Sequence, residues 1–255
     1  MKYQRLLLAL LSGVLLALPW YTSISGVFAF IAFIPLLFVE ESIFKTTLSN
    51  KKFILFPYAL MSFLTWNILS TFWIYHVTFL GMVTVIVINS TLMAIIFLLY
   101  HFTKTKLGHK VGQFSLLIYW IAFEHVFLNA EISWPWLNLG NAFAKDINLI
   151  QWYEYTGVLG GTLWIFVINI LGFHLIKRFL KPFKLKESLP NIILLLLAFL
   201  IPLFTSLSLL KNYTEQGKEY HIAIVQPNID PYKEKYDSLS SEAQLQIILN
   251  LSEQV

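Results

Sequence analysis

Long apolar segments recur along this chain with only short polar stretches between them, and an ordinary soluble fold cannot bury that many. A helix rises about 1.5 Å per residue, so roughly 20 apolar residues cross a hydrocarbon core about 30 Å thick. Five segments meet that length, at residues 53–75, 82–100, 111–128, 159–176 and 189–210. Residues 6–39 are too long for one crossing and carry Pro19 and Gly26 near the middle, which predicts a hairpin of two short crossings. The expectation is an α-helical polytopic membrane protein of about seven spans. Composition agrees, with 57% hydrophobic residues, 13% charged and a mean hydropathy of +0.68. Lys2 and Arg5 ahead of the first apolar run also suit a signal peptide, but no small-residue cleavage site follows, so the run reads as an uncleaved first span.

The placement of the 18 basic residues gives an orientation. Lys2 and Arg5 precede the first span. Lys45, Lys51 and Lys52 separate the second and third, and Lys104, Lys106 and Lys110 the fourth and fifth. Lys177, Arg178, Lys181, Lys184 and Lys186 separate the sixth and seventh. All of these fall on one side, whereas Lys145, Lys211, Lys218, Lys233 and Lys235 fall on the other. The positive-inside rule then predicts a cytoplasmic amino terminus and puts the tail after Leu210 across the membrane. Basic residues interleaved with spans, not gathered on one face, argue against nucleic acid as a partner.

The tail changes character. Residues 211–220, "KNYTEQGKEY", read as a polar connector. "HIAIVQPNI" then gives a β-branched run stopped by Pro227, predicting a strand, with turn chemistry at Asn228, Asp230 and Pro231. After Leu239 the period becomes helical, with Leu245, Ile248 and Leu249 on one face and a serine cap at Ser238, Ser240 or Ser241. The domains expected are thus 1–210 in the membrane, the 211–220 connector, and 221–255 as the start of an α/β domain. One strand and one helix bury too little surface to offset ordering costs of about 1–2 kcal/mol per residue.

The chain has no Cys, which removes disulfides, thiolate metal sites and thiol nucleophiles from these residues. There is no Gly-rich phosphate loop, no G-x-S-x-G elbow, and no His or carboxylate set at metal spacing, so neither a metal nor a cofactor is expected. Glu124, within the fifth span and four residues after Trp120, is a carboxylate where one is expensive, and it should face the bundle interior. His125 points about 100° away from it on a helix, so the two do not make a dyad. His76, His101 and His174 read as isolated residues near span ends. Asn67, Asn89 and Asn169 read as hydrogen-bonding groups between helices. The loop "EISWPWLNLGNAFAKDINLIQWYEYTGVLGG" is too aromatic for a solvated connector. Trp134, Trp136, Trp152, Tyr153 and Tyr155 suit either an interfacial belt or a rim that admits lipid, and the two readings are compatible.

Several of these stretches together resemble one family. "IYWIAFEHVFLNAEISWPWLNLGN" is similar to the W-x-x-x-E and P-W-L-x-x-G elements of bacterial apolipoprotein N-acyltransferases. "EYTGVLGGTLWIFVIN" resembles their next block, with Glu154 ahead of Gly-rich packing. "STFWIYHVTFLGM" resembles the end of their third span, and "IAIVQPNIDPYKEKY" the opening of their nitrilase-like domain. The resemblance implies an inner-membrane enzyme that moves an acyl chain from a phospholipid donor to the N-terminal diacylglyceryl-cysteine of an apolipoprotein acceptor. It implies a thioester on Cys, with Glu as base and Lys at the oxyanion.

None of those three residues can be assigned here: the chain stops short of where the family carries them, and "SWPW" is not the family's Trp-Pro-Glu. The fold implied is an α-helical polytopic membrane protein of about seven spans, followed by the first strand and helix of an incomplete α/β nitrilase-like domain. The remainder would come from a separate polypeptide or a longer gene product. Alone, this chain is expected to be inactive. The alternative is a noncatalytic lipid-binding or scaffolding protein that kept the membrane fold. The residues carried over as substrate contacts are Tyr236, where the family often has Trp, with Trp134, Trp136, Glu124 and Glu154. The Arg that often follows the intramembrane Glu by three positions is replaced by Phe127.

Overall fold

A computed structural model describes residues 2–45, 53–131, 133–180, 182, 185–230, 234–235 and 238–254. The polypeptide forms two compact units, Met1–Tyr213 and Thr214–Val255. In the first, α1 (Lys2–Ala17) runs into a short 3-10 turn at Leu18–Trp20, and the chain returns through a second turn at Gly26–Phe28, α2 (Ala29–Ala32) and α3 (Ile34–Phe44). The hairpin expected around Pro19 and Gly26 is present. After it come α4 (Leu55–Thr71), a 3-10 turn at Phe72–His76, α5 (Phe79–Leu107) and α6 (His109–Asn129). Three 3-10 turns follow, at Pro135–Leu137, Leu139–Phe143 and Ile147–Leu149, before α7 (Tyr153–Phe179) and α8 (Leu185–Asn212).

Among the described residues, six helical stretches are long and apolar enough to cross a membrane: Lys2–Trp20, Gly26–Phe44, Phe79–Leu107, His109–Asn129, Tyr153–Phe179 and Leu185–Asn212. The chain is a multi-pass membrane protein. The segment expected as a seventh crossing, residues 53–75, is α-helical over only 17 residues. Thr71, at φ −124° and ψ 10°, leaves the helical region and passes the chain into the 3-10 turn.

Helices in lipid gain little from hydrophobic burial against one another, so close packing and hydrogen bonds between them must hold the bundle. Both are present. Phe33, at the junction of α2 and α3, meets Trp120 of α6 edge-on at 5.3 Å and Phe166 of α7 at 4.6 Å. Phe63 of α4 lies 5.5 Å from the same Trp120. Four elements thereby share one aromatic column. The asparagines act as expected: Asn89 donates to Asn67 Oδ1 at 2.8 Å, joining α5 to α4. Asn169 of α7 accepts from the Phe33 N–H and donates to the Ala29 carbonyl, both at 2.8 Å. Ser12 of α1 donates to the Ala32 carbonyl at 2.6 Å, so α1 is packed as an integral helix of the bundle. α5 and α6 follow each other directly because Gly108 adopts φ 87°, which a side chain would disfavour. α8 exposes Leu194, Ile201 and Phe204, as a lipid-facing helix would.

In the second unit α9 (Ser241–Ser252) forms the helix expected after Leu239. Ser240 is its cap, accepting from the Ala243 N–H at 3.2 Å. The strand expected at "HIAIVQPNI" is not formed: residues 218–230 are neither helix nor strand, and no strand exists among the described residues. A strand needs a ladder partner for its backbone groups, and Ile222 and Ile224 stand exposed instead.

Candidate functional site

The loop between α6 and α7 is built around Glu124. This residue lies near the carboxyl-terminal end of α6 and is only 2% exposed. Its Oε1 accepts from the Trp120 indole N–H at 3.0 Å, one turn earlier, and from the Leu139 backbone N–H at 2.8 Å. Its Oε2 accepts from the Thr162 hydroxyl of α7 at 2.5 Å, and Thr162 accepts in turn from the Gly140 N–H at 3.1 Å. Among the described residues, one carboxylate thus ties α6, the loop and α7 together through uncharged donors only. The junction is close: a Cβ on Gly140 would lie 2.0 Å from the Val158 carbonyl oxygen, and one on Gly161 1.7 Å from the Tyr153 hydroxyl. Tyr153 completes the seam by donating to the Gly140 carbonyl at 3.0 Å.

This anchoring fixes the tryptophans that precede it. Trp136, in the turn just before Leu139, is 56% exposed, and its ring meets Trp73 at 5.4 Å. Trp134 lies 6.4 Å from Trp136, and its buried indole N–H has no hydrogen-bond partner among the described residues. Trp20, at the end of the first hairpin helix, donates to the Trp136 carbonyl at 2.8 Å. Pro19, Trp20, Pro135, Trp136, Asn141 and Lys145 line a cleft of about 380 Å³ there. Lys145 and Asp146 clasp the hairpin turn beside it. Lys145 donates to the Tyr21 and Ile24 carbonyls, and Asp146 accepts from the Ser25 hydroxyl at 2.9 Å and the Gly26 N–H at 2.7 Å.

Glu124, Trp134 and Trp136 therefore belong to one local assembly. Glu124 is enclosed by its donors, whereas Trp136 faces outward. Glu154 is exposed in the first turn of α7 and takes no part in that assembly. Tyr236 lies outside the described residues. The loop aromatics divide in a way their spacing did not reveal: Trp152 turns inward, its ring 5.5 Å from Trp164 and its N–H on the Leu149 carbonyl, while Tyr155 stays exposed.

The opposite ends of these helices hold a second polar cluster that the sequence reading did not identify. Glu40 and Glu41, in the last part of α3, are buried. Glu40 accepts from Lys104 of α5 and from the Tyr100 hydroxyl at 3.2 Å, and its Oε1 lies 2.7 Å from His101 Nδ1. Glu41 pairs with Lys104 at 3.0 Å, with Lys177 of α7, and with Lys45 at 3.4 Å. His101 is thus a buried partner of a carboxylate, not the isolated span-end residue expected. His174 is not isolated either, with Nε2 2.6 Å from the Gln113 amide nitrogen. The available signal was "VEESIFK", two adjacent carboxylates closing an apolar run, with Lys104 set inside the end of another.

Fold and site together define a helical multi-pass membrane protein with an anchored, tryptophan-bearing loop at one end and a buried ion-pair cluster at the other. The chain belongs to the family described as the apolipoprotein N-acyltransferase N-terminal domain, whose model matches residues 12–171. The apolipoprotein N-acyltransferase of Chlorobaculum tepidum is 26% identical over 253 residues, covering 97% of this chain and 45% of that protein. The apolipoprotein N-acyltransferase of Geobacter metallireducens is 28% identical over 235 residues, covering 88% of this chain and 43% of that protein. The chain spans less than half the length of these curated relatives. No solved structure matches it.

Proposed function

We propose that these residues are the membrane part of an enzyme that moves an acyl chain from a phospholipid to the α-amino group of a lipoprotein's diacylglyceryl-cysteine, and that the Trp-bearing loop receives the lipids. The observation that carries this reading is the Glu124-anchored loop within the family-matched region, with exposed Trp136 and Trp73 beside an apolar cleft. Tryptophan offers an apolar body and a polar N–H, which suits lipid at headgroup depth. Trp134 and Trp136 contact lipid, and Glu124 acts through the loop it positions. Glu154, at the start of α7, and Tyr236, in the tail, are further contacts.

The protein sits in the bacterial inner membrane with the amino terminus cytoplasmic and residues 211–255 periplasmic, a reading supported by the lysine distribution. α4 makes the seventh crossing, since 17 residues is the short end of the spanning range. Residues 1–210 are the membrane domain, 211–220 a connector, and 221–255 the beginning of a nitrilase-like part.

A thioester route needs a thiol, and these 255 residues contain no Cys. The Cys of that chemistry must then lie in residues other than these, in the same or a separate polypeptide, and in this reading its Glu and Lys lie with it. Absence of Cys equally favours a second reading, a noncatalytic lipid-binding protein. Incubating residues 1–255 in phospholipid vesicles with a diacylated lipopeptide separates these readings. No acyl transfer is expected from these residues alone, and transfer is expected once a Cys-bearing nitrilase-like polypeptide is supplied. Transfer without it overturns the proposed division of labour, and no transfer with it favours the noncatalytic reading.

A further inference from the structure

The ion-pair cluster at the lysine-rich end borders a cleft of about 360 Å³, lined by Phe38, Glu41, Ser42, Lys45, Lys177 and Leu180. Among the described residues its charges do not balance. Glu40 is spent inside the protein on Lys104, Tyr100 and His101. Glu41 is left to serve three ammoniums, Lys104, Lys177 and Lys45. Arg5 adds a fourth cation, its guanidinium donating to the Ser42 hydroxyl at 2.9 Å and the Ser42 carbonyl at 3.2 Å. Among the described residues, four Lys and Arg cations therefore meet two carboxylates.

Of the two lysines on the cleft, Lys45 has an exposed side chain, at 64%, and Lys177 a partly buried one, at 28%. Each ammonium carries three N–H donors, so pairing with Glu41 leaves capacity for a second anion. The remaining walls are apolar: Leu180 is exposed, and Phe38 is half-buried on a mostly buried helix, its ring 4.8 Å from Phe173. A group with one negative charge at its head and an alkyl chain behind it matches both features. This cleft is also remote from Trp136. Lys177 sits in the last turn of α7, roughly 28 Å at 1.5 Å per residue from Val158, which follows the kink at Gly157 near the loop end of that helix.

We propose that this cleft seats the phosphate of an anionic phospholipid from the leaflet at the lysine-rich end, held between Lys45 and Lys177 with its acyl chain along Phe38 and Leu180. The lipid is a structural ligand, separate from any acyl donor at the loop end, and the inference does not depend on the acyltransferase reading. Membrane anionic lipids recognise juxtamembrane Lys and Arg in this manner.

The test is native mass spectrometry of delipidated residues 1–255 with phosphatidylglycerol and phosphatidylcholine of matched chains. Retention of phosphatidylglycerol should exceed that of phosphatidylcholine by about tenfold. Lys45→Gln, whose side chain is exposed and whose loss need not disturb the fold, should cut it by about fivefold, and Lys45→Gln with Lys177→Gln should erase the preference. Lys110→Gln, at the same end but outside the cleft, should leave it unchanged. Equal retention of the two lipids, or an equal loss in Lys110→Gln and Lys45→Gln, overturns the site. Full displacement of lipid by millimolar inorganic phosphate alone identifies a free-phosphate site and overturns the lipid assignment.

Discussion

Buried carboxylates occur at both ends of this bundle, and they are neutralised by different means. Glu124 is met by an indole N–H, a backbone N–H and a hydroxyl, and one of those donors belongs to a loop. Glu40 and Glu41 are met by ammoniums from α5 and α7, with Lys104 almost fully buried between them. Burial of an ion is costly unless it is paired or fully hydrogen-bonded, so each end has solved the same problem. The solutions have different consequences. Ion pairs between long helices lock helix against helix, whereas a carboxylate bound to a backbone N–H dictates where a loop can run. Shape is set at the loop end and cohesion at the lysine end.

Breaking the cohesive end should do the most damage. Lys104→Met leaves Glu40 and Glu41 buried without their shared cation and should cost about 3–5 kcal/mol, read as thermal unfolding in detergent. Adding Glu40→Gln to it should recover part of that loss, because one of the stranded charges is removed. An additive double mutant would mean that the pair is not coupled. At the loop end, Glu124→Ala orphans three donors and should cost about 2–4 kcal/mol, with Glu124→Gln closer to about 1–2 because the amide oxygen still accepts. Helix content should persist in both, since no helix depends on Glu124 for its own hydrogen bonds. The smallest effect is expected at the half-exposed clasp: Asp146→Ala removes two acceptor contacts to the hairpin turn, for about 1 kcal/mol. Quenching of tryptophan emission by brominated lipid should change more than stability there, because Trp20 and Trp136 flank that turn.

The two ends were also unequally legible in the sequence. Apolar runs, the Pro19–Gly26 hairpin and the three asparagines declare themselves locally, since hydropathy and a polar group within it are read from neighbouring residues. Glu124 was visible for that reason, together with Trp120 one helical turn away. Its partners Leu139 and Thr162 follow within one loop and one helix. The Glu40–Glu41 cluster joins residues 60 and more positions apart, at Lys104 and Lys177, and no local period announces such a meeting. His101 was misread as isolated because its partner comes from another helix. Within the aromatic loop, short 3-10 turns erase any regular periodicity, so inward Trp152 and outward Trp136 look alike in sequence. The run "HIAIVQPNI" has strand composition, but composition provides no partner for its backbone.

The most direct test of the idea that Glu124 sets the loop's course is hydrogen–deuterium exchange across residues 131–143 in the wild type and in Glu124→Ala. The Leu139 N–H is bonded to Glu124 itself and the Gly140 N–H to Thr162, which Glu124 holds. Loss of the carboxylate should speed exchange at both amides by roughly 10- to 100-fold, while α5 around Lys104 keeps its protection. Unchanged protection at Leu139 and Gly140 would show that the loop holds its path without Glu124, contradicting the account.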